Sequence, residues 1–170
     1  EFGTPSVGMG GTLPNLNTAL NIAAADQKVH KNKTVDRIYK HLNTRLNSKA
    51  SAALLGNIYG EASNFDYTLE EETDRLNKGY GLFQFTDYGP GIGHRTEYFK
   101  YLENNNKKDS LESQIDYVLD NIYKGVGLDL GEDRRKRLQD IFETGTVEEI
   151  TVEFHNEFEN PDRKVSKIDN

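Results

Sequence analysis

The chain has 170 residues and a mass of 19.3 kDa, enough for one domain with a sizeable core; 35% of it is hydrophobic and 29% charged. A formal net charge of −7 argues against nucleic-acid partners held through phosphate contacts and against adsorption to anionic membranes. With no cysteine, disulfides, thiol catalysis and Cys-ligated zinc are excluded, either redox compartment is tolerated, and no apolar run approaches the length of a membrane span.

Residues 1–17, "EFGTPSVGMGGTLPNLN", are rich in Gly, Pro, Thr and Asn. They read as a linker or cloning-derived segment, and a single domain is expected over 18–170. Ala19, Ile22 and Ala23 suggest a short helix. Val35, Ile38, Leu42 and Leu46 then recur at three- and four-residue intervals and form one apolar stripe. After Asn47, a helix carries Ala53, Leu54, Leu55 and Ile58, with Ser48 as the expected N-cap and an end near Gly60 or Ala62. Residues 63–93 lose this period. They hold an acidic run, "LEEETD", and then "GYGLFQFTDYGPGIG", where glycines punctuate aromatics. An irregular lobe with one short hairpin is expected there.

Helical spacing resumes around His94–Asn104 and again over 110–124, where Leu111, Ile115, Val118, Leu119 and Ile122 share a face and Asp109 with Glu112 form a candidate cap pair. A helix over 132–143 turns Leu138, Ile141 and Phe142 inward and stops at Gly145. In the last helix, Thr146 and Glu149 have capping-box spacing, Val147, Ile150, Phe154 and Phe158 make the core face, and Pro161 closes it. The fold class is therefore mainly α, an α+β arrangement in which a small loop and hairpin lobe makes one wall of a cleft.

The chemistry converges on Glu61. It ends the run "AALLGNIYGE" where the helix meets the lobe. The partial negative charge of a helix C-terminus and desolvation by flanking Ala, Ile, Tyr and Phe both favour a protonated carboxyl, which is what a glycosidic leaving oxygen requires. The bland alternative is a solvated Glu at a frayed helix end. In "GYGLFQF", 79–85, small residues let backbone approach a ligand. Tyr80, Phe83, Phe85 and Tyr88 offer flat faces for sugar rings, and Gln84 offers an amide. Read alone, the same residues are lobe core and turns.

Together, "LLGNIYGEASNF" and, some twenty residues on, "GYGLFQFTDY" resemble the phage tail lysozyme family within the lysozyme-like superfamily. "NEFENP", 156–161, resembles that family's terminal marker of an aromatic, an acid and a proline. The resemblance spans about residues 34–161. It implies a lysozyme-like fold, Glu61 as the catalytic glutamate and Gln84 as a residue lining the sugar cleft. The implied substrate is peptidoglycan, cut at the β-1,4 bond between N-acetylmuramic acid and N-acetylglucosamine. Phe85 departs from the family, many of whose members carry Trp there. The implied setting is a virion, as a phage tail module acting on the bacterial wall from the extracellular or periplasmic side. Other tail or virion proteins, or flanking domains of the same chain, are the implied partners.

For a second carboxylate the lobe offers Asp66, Glu70, Glu71, Glu72, Asp74 and Asp87, of which Asp66, Asp74 and Asp87 are the leading candidates; "EEETD" itself reads better as a solvated charge run. A single-acid mechanism assisted by the substrate itself, giving an anhydro-sugar as lytic transglycosylases do, needs none. No metal or other cofactor is expected, since His30, His41, His94 and His155 show no HExxH spacing and the acidic run lacks an EF-hand pattern. "GPGIG" reads as turn glycines, and "DRRKR", 133–137, as a solvated basic helix face. The rival class is a non-enzymatic structural or wall-binding module. The acidic balance favours tethering over free diffusion toward an anionic wall.

Overall fold

The computed structural model describes residues 33–71 and 78–159. The 1–17 segment, the helix expected at Ala19–Ala23, and Glu72, Asp74 and Pro161 lie outside the described residues. Six α-helices carry the fold: α1 (Lys33–Asn43), α2 (Ser48–Glu61), α3 (His94–Asn104), α4 (Leu111–Lys124), α5 (Glu132–Thr144) and α6 (Val147–Phe154). A π-helical turn, His155–Glu159, continues α6, and a two-stranded antiparallel hairpin, β1 (Asp87–Gly89) with β2 (Ile92–Gly93), precedes α3.

The centre is α2. Its residues Ala50–Ile58 are buried without interruption, so it has no polar face and other helices surround it. Small residues on this helix let the neighbours come close, and α6 packs most extensively against it. Its N-cap is Asn47, not Ser48: the Asn47 carboxamide accepts from Ala50 N–H at 2.9 Å and donates to the Phe142 carbonyl of α5 at 2.8 Å. One side chain thus satisfies a helix terminus and ties two helices together. The stripe of α1 buries Val35, Ile38 and Leu42. Arg37 forks onto the Glu112 carboxylate of α4.

The cap of α4 also differs from the expected Asp109–Glu112 pair. Ser110 is the N-cap, accepting from Ser113 N–H. Asp109 instead receives the hydroxyl protons of Tyr80 and Tyr98. This part-buried acceptor is one anchor of the lobe. Another is Gln114, fully buried in α4. Its Oε1 accepts from Leu82 N–H at 2.8 Å, and its Nε2 donates to the Tyr67 carbonyl at 2.8 Å and to Asp109 at 3.1 Å. Gly81 makes the approach possible: it sits at φ +77°, and a Cβ there would stand 2.3 Å from Gln114 Oε1. The irregular lobe is therefore pinned to a helix by side chains rather than by a sheet.

Replacing Gln114 with Leu keeps the volume roughly but leaves the Leu82 N–H and the Tyr67 carbonyl without their partner. The expected loss is about 1–3 kcal/mol in urea unfolding, as for a buried polar group left unpaired, together with faster amide exchange at Leu82. An unchanged midpoint would remove Gln114 from the support of the lobe.

Candidate active site

Glu61 is the last residue of α2, and Ala62 closes the helix by donating its N–H to the Ile58 carbonyl at 2.7 Å. The four preceding positions explain its placement. Asn57, one turn back, is buried and donates to the Ala53 carbonyl at 3.1 Å and to the Thr151 carbonyl of α6 at 3.4 Å. That tie fixes α2 against α6, so the end of α2 faces the chain that follows α6.

There α6 widens into the π-helical turn His155–Glu159. Such widening re-aims side chains relative to a continuing α-helix. Phe158 anchors it, stacked on His94 with ring centroids 4.3 Å apart and on Phe154 at 5.0 Å. Glu157 is held by Arg134 at 3.1 Å and Arg137 at 3.3 Å. The "DRRKR" face expected to be solvated thus grips the turn through two of its arginines. Glu159, two residues on, turns inward with a side chain only 5% exposed. His155 Nδ1 stands 3.1 Å from its Oε2, and its Oε1 has no hydrogen-bond partner among the described residues.

Glu61, His155 and Glu159 come together: one donor atom from each lies within 4.8 Å of the others. Burial pushes the Glu61 carboxyl up to about 9, and the nearby Glu159 and Glu71 carboxylates add to the rise. Burial also raises Glu159, while the hydrogen bond and charge of His155 pull it the other way. Two carboxyl groups this close in a desolvated place do not both ionise readily. The arrangement can retain a proton at neutral pH. Among the described residues these three are also the one group of His and acid side chains close enough to share a cation.

Beside Glu159 lies a small, partly open pocket to which Gln84, Thr86, Tyr88, His94 and Phe158 also contribute; Glu61 is not among the residues that line it. Its other wall is the "GYGLFQF" turn. Tyr80 and Phe85 exchange backbone hydrogen bonds at 3.1 and 2.9 Å, and Gln84 is forced to φ +47°, a left-handed conformation that costs a non-glycine residue energy. The Gln84 amide donates to the Gly81 carbonyl at 2.8 Å, and the side chain edges the cavity.

The expected sugar-stacking aromatics divide. Phe83 and Phe85 are 3% and 2% exposed and belong to the core, where Phe85 packs on Tyr98 and Tyr117. Burial withholds their faces from a saccharide; they shape the turn instead. Tyr80 is half-buried, with its hydroxyl on Asp109. Tyr88 is 46% exposed on the hairpin and lines the cavity.

The expected second carboxylates divide too. Asp66 accepts from both the backbone N–H and the hydroxyl of Thr68 at 2.8 and 2.7 Å, a local turn. Asp87 accepts from the N–H and hydroxyl of Thr96 at 3.0 and 2.7 Å, satisfying the first turn of α3. The carboxylate brought to Glu61 from the C-terminal side is Glu159, which sequence reasoning did not single out. Its signal was present in the i,i+4 spacing of His155 and Glu159 inside "HNEFE" and the terminal marker.

A family model described as phage tail lysozyme matches residues 32–170. Neither the curated proteins nor the solved structures yield a match.

The position of Glu61 has a consequence for stability. Its folded value is raised above the ordinary 4.5, so between the two the folded chain binds a proton that the unfolded chain has lost. Stability therefore falls as pH rises through that window. Glu61→Gln removes the effect. The variant is expected to be more stable than the parent at pH 8, by on the order of 1–3 kcal/mol, and to match it near pH 4. Thermal unfolding at the two pH values reads this; an equal or lower stability at pH 8 would contradict the burial of the acid.

Proposed function

The chain belongs to the phage tail lysozyme family, lysozyme-like enzymes that degrade peptidoglycan, and from that premise we propose that it cleaves the glycan strand with Glu61 as general acid. The observation that carries the reading is the Glu61 carboxyl at the end of α2, whose burial, reinforced by a second carboxyl close by, favours the protonated form. The bond broken is the β-1,4 bond between N-acetylmuramic acid and N-acetylglucosamine. As C1–O4 lengthens and the sugar takes on oxocarbenium character, Glu61 gives its proton to O4. The Glu61 carboxylate then takes a proton from the attacking water as its oxygen bonds to C1. The small pocket edged by Gln84, Tyr88 and Glu159 marks the side of Glu159 from which we take the strand to approach.

A second reading has its own observation. Asp66 and Asp87 are engaged with Thr68 and Thr96, and Glu159 is nearly wholly buried, so none is placed freely as a nucleophile. The attacking group is then the C6 hydroxyl of the same muramic acid residue. Its proton goes to Glu61 and the product is an anhydro-sugar, the lytic transglycosylase outcome. In either case we place the domain in a phage tail or virion. There, attachment to a larger assembly supplies the local concentration that a net charge of −7 would otherwise oppose at an anionic wall.

Glu61→Gln is expected to fold and to lose wall-clearing activity on purified sacculi by about 10²–10⁴-fold, the usual contribution of a general acid. Retained clearing would sink the assignment. Mass spectrometry of the parent's digest separates the two outcomes, showing reducing ends for hydrolysis and anhydro ends for internal attack.

A further inference from the structure

The C-terminal turn contains a second element whose geometry goes beyond supplying a neighbour for Glu61. Glu159 is the more deeply buried of the two facing carboxyls. Desolvation alone would therefore leave the proton on Glu159 and the charge on Glu61, which is the wrong distribution for an acid. One contact opposes this. His155 Nδ1, 3.1 Å from Glu159 Oε2 and also nearly buried, donates to the ionised form of Glu159. The Glu159 Oε1 without a partner leaves that donor as the one hydrogen bond to the carboxylate among the described residues.

We propose that His155, acting through Glu159, decides which of the two neighbouring carboxyls is protonated, and is thereby a positioning residue for the Glu61 acid. The proposal rests on the reading of Glu61 as general acid. The remaining charged neighbours do not compete for the role. Glu157 is held by Arg134 and Arg137, and Glu153 lies 3.9 Å from Arg137. His94, from α3, contacts the Tyr117 hydroxyl at 2.9 Å and stacks on Phe158. Glu71, from the lobe, adds a like charge that favours the proton on Glu61. His155 faces Glu159 directly.

The test compares pH profiles of kcat on soluble glycan fragments for four variants. His155→Leu removes the donor, and its activity is expected to fall tenfold or more at neutral pH at little changed KM, recovering as pH is lowered until both carboxyls are protonated. His155→Asn keeps an amide donor near the Nδ1 position and should restore most of the neutral activity. Glu159→Gln removes the like charge beside Glu61, and its alkaline limb should move to lower pH by about one unit or more. The double variant His155→Leu/Glu159→Gln should be no worse than Glu159→Gln alone, because the imidazole acts through that carboxylate. A loss in His155→Leu of the same factor at every pH would overturn the proposal, as would an alkaline limb unmoved by Glu159→Gln. If His155→Leu does not fold, the near-isosteric Glu159→Gln and the His155→Asn profile decide alone. Should Glu61→Gln be fully active, the acid assignment itself fails. Should it be inactive while these profiles stay parallel to the parent's, only the role of His155 fails.

Discussion

Two carboxyl groups facing each other out of water form the constraint on which the rest of this structure depends. A buried pair of that kind is unfavourable unless at least one member is protonated, and it persists only if the surrounding framework prevents the two groups from separating into solvent. The framework is the contact between α2 and α6. Asn57 bonds to the Thr151 carbonyl across that contact, Asn47 bonds from the head of α2 to α5, and Thr146 with Glu149 closes the start of α6 as a capping box. Each bond is modest by itself, roughly 0.5–1.5 kcal/mol net. Together they fix the end of one helix opposite the continuation of another.

The second wall is held differently. Its hairpin is only a few residues long, too short to be stable by its own pairing. The lobe depends on the Asp109 and Gln114 side chains of the α4 region, which take the place of sheet neighbours. The consequence is that the aromatic turn cannot shift without unpairing buried polar groups. The turn therefore keeps its position relative to the end of α6, and positional precision is what the proposed acid would need to reach a leaving oxygen.

The helices were legible because burial repeats with the helical period. Val35, Ile38 and Leu42 on α1, and Leu111, Ile115, Val118 and Ile122 on α4, are buried as their spacing requires. The family was legible because Glu61 and the glycine-aromatic turn stand at a characteristic separation, and the match over residues 32–170 agrees. What spacing could not show was which polar side chains would be captured by tertiary partners. Asp109 looked like a helix cap and is a receiver for two tyrosines. The arginines of "DRRKR" looked solvated and grip Glu157. Phe83 and Phe85 looked available and are core. Glu159 lies almost one hundred residues from Glu61 along the chain. Only the packing of α6 on α2, followed by the π-helical turn, brings them together, and a one-residue change of helical register has no signature in apolar periodicity.

Several local departures from favourable structure lie around this same place. Gln84 has a left-handed backbone, the chain after α6 is π-helical, Glu61 adds an acid to the negative end of a helix, and Asn57 Oδ1 and Glu159 Oε1 are buried without partners among the described residues. Each of these costs stability, and none is required to build a six-helix domain. A sequence selected for folding alone would have replaced Glu61 and Glu159 with apolar residues of similar volume, since removing a buried charged pair in favour of packing is often neutral or stabilising. The surrounding packing supports the deficit: α2 is buried throughout Ala50–Ile58, and Phe154, Phe158 and His94 stack beneath the turn. That packing holds the close approach of Glu61 and Glu159 in place, although it leaves a carboxyl desolvated.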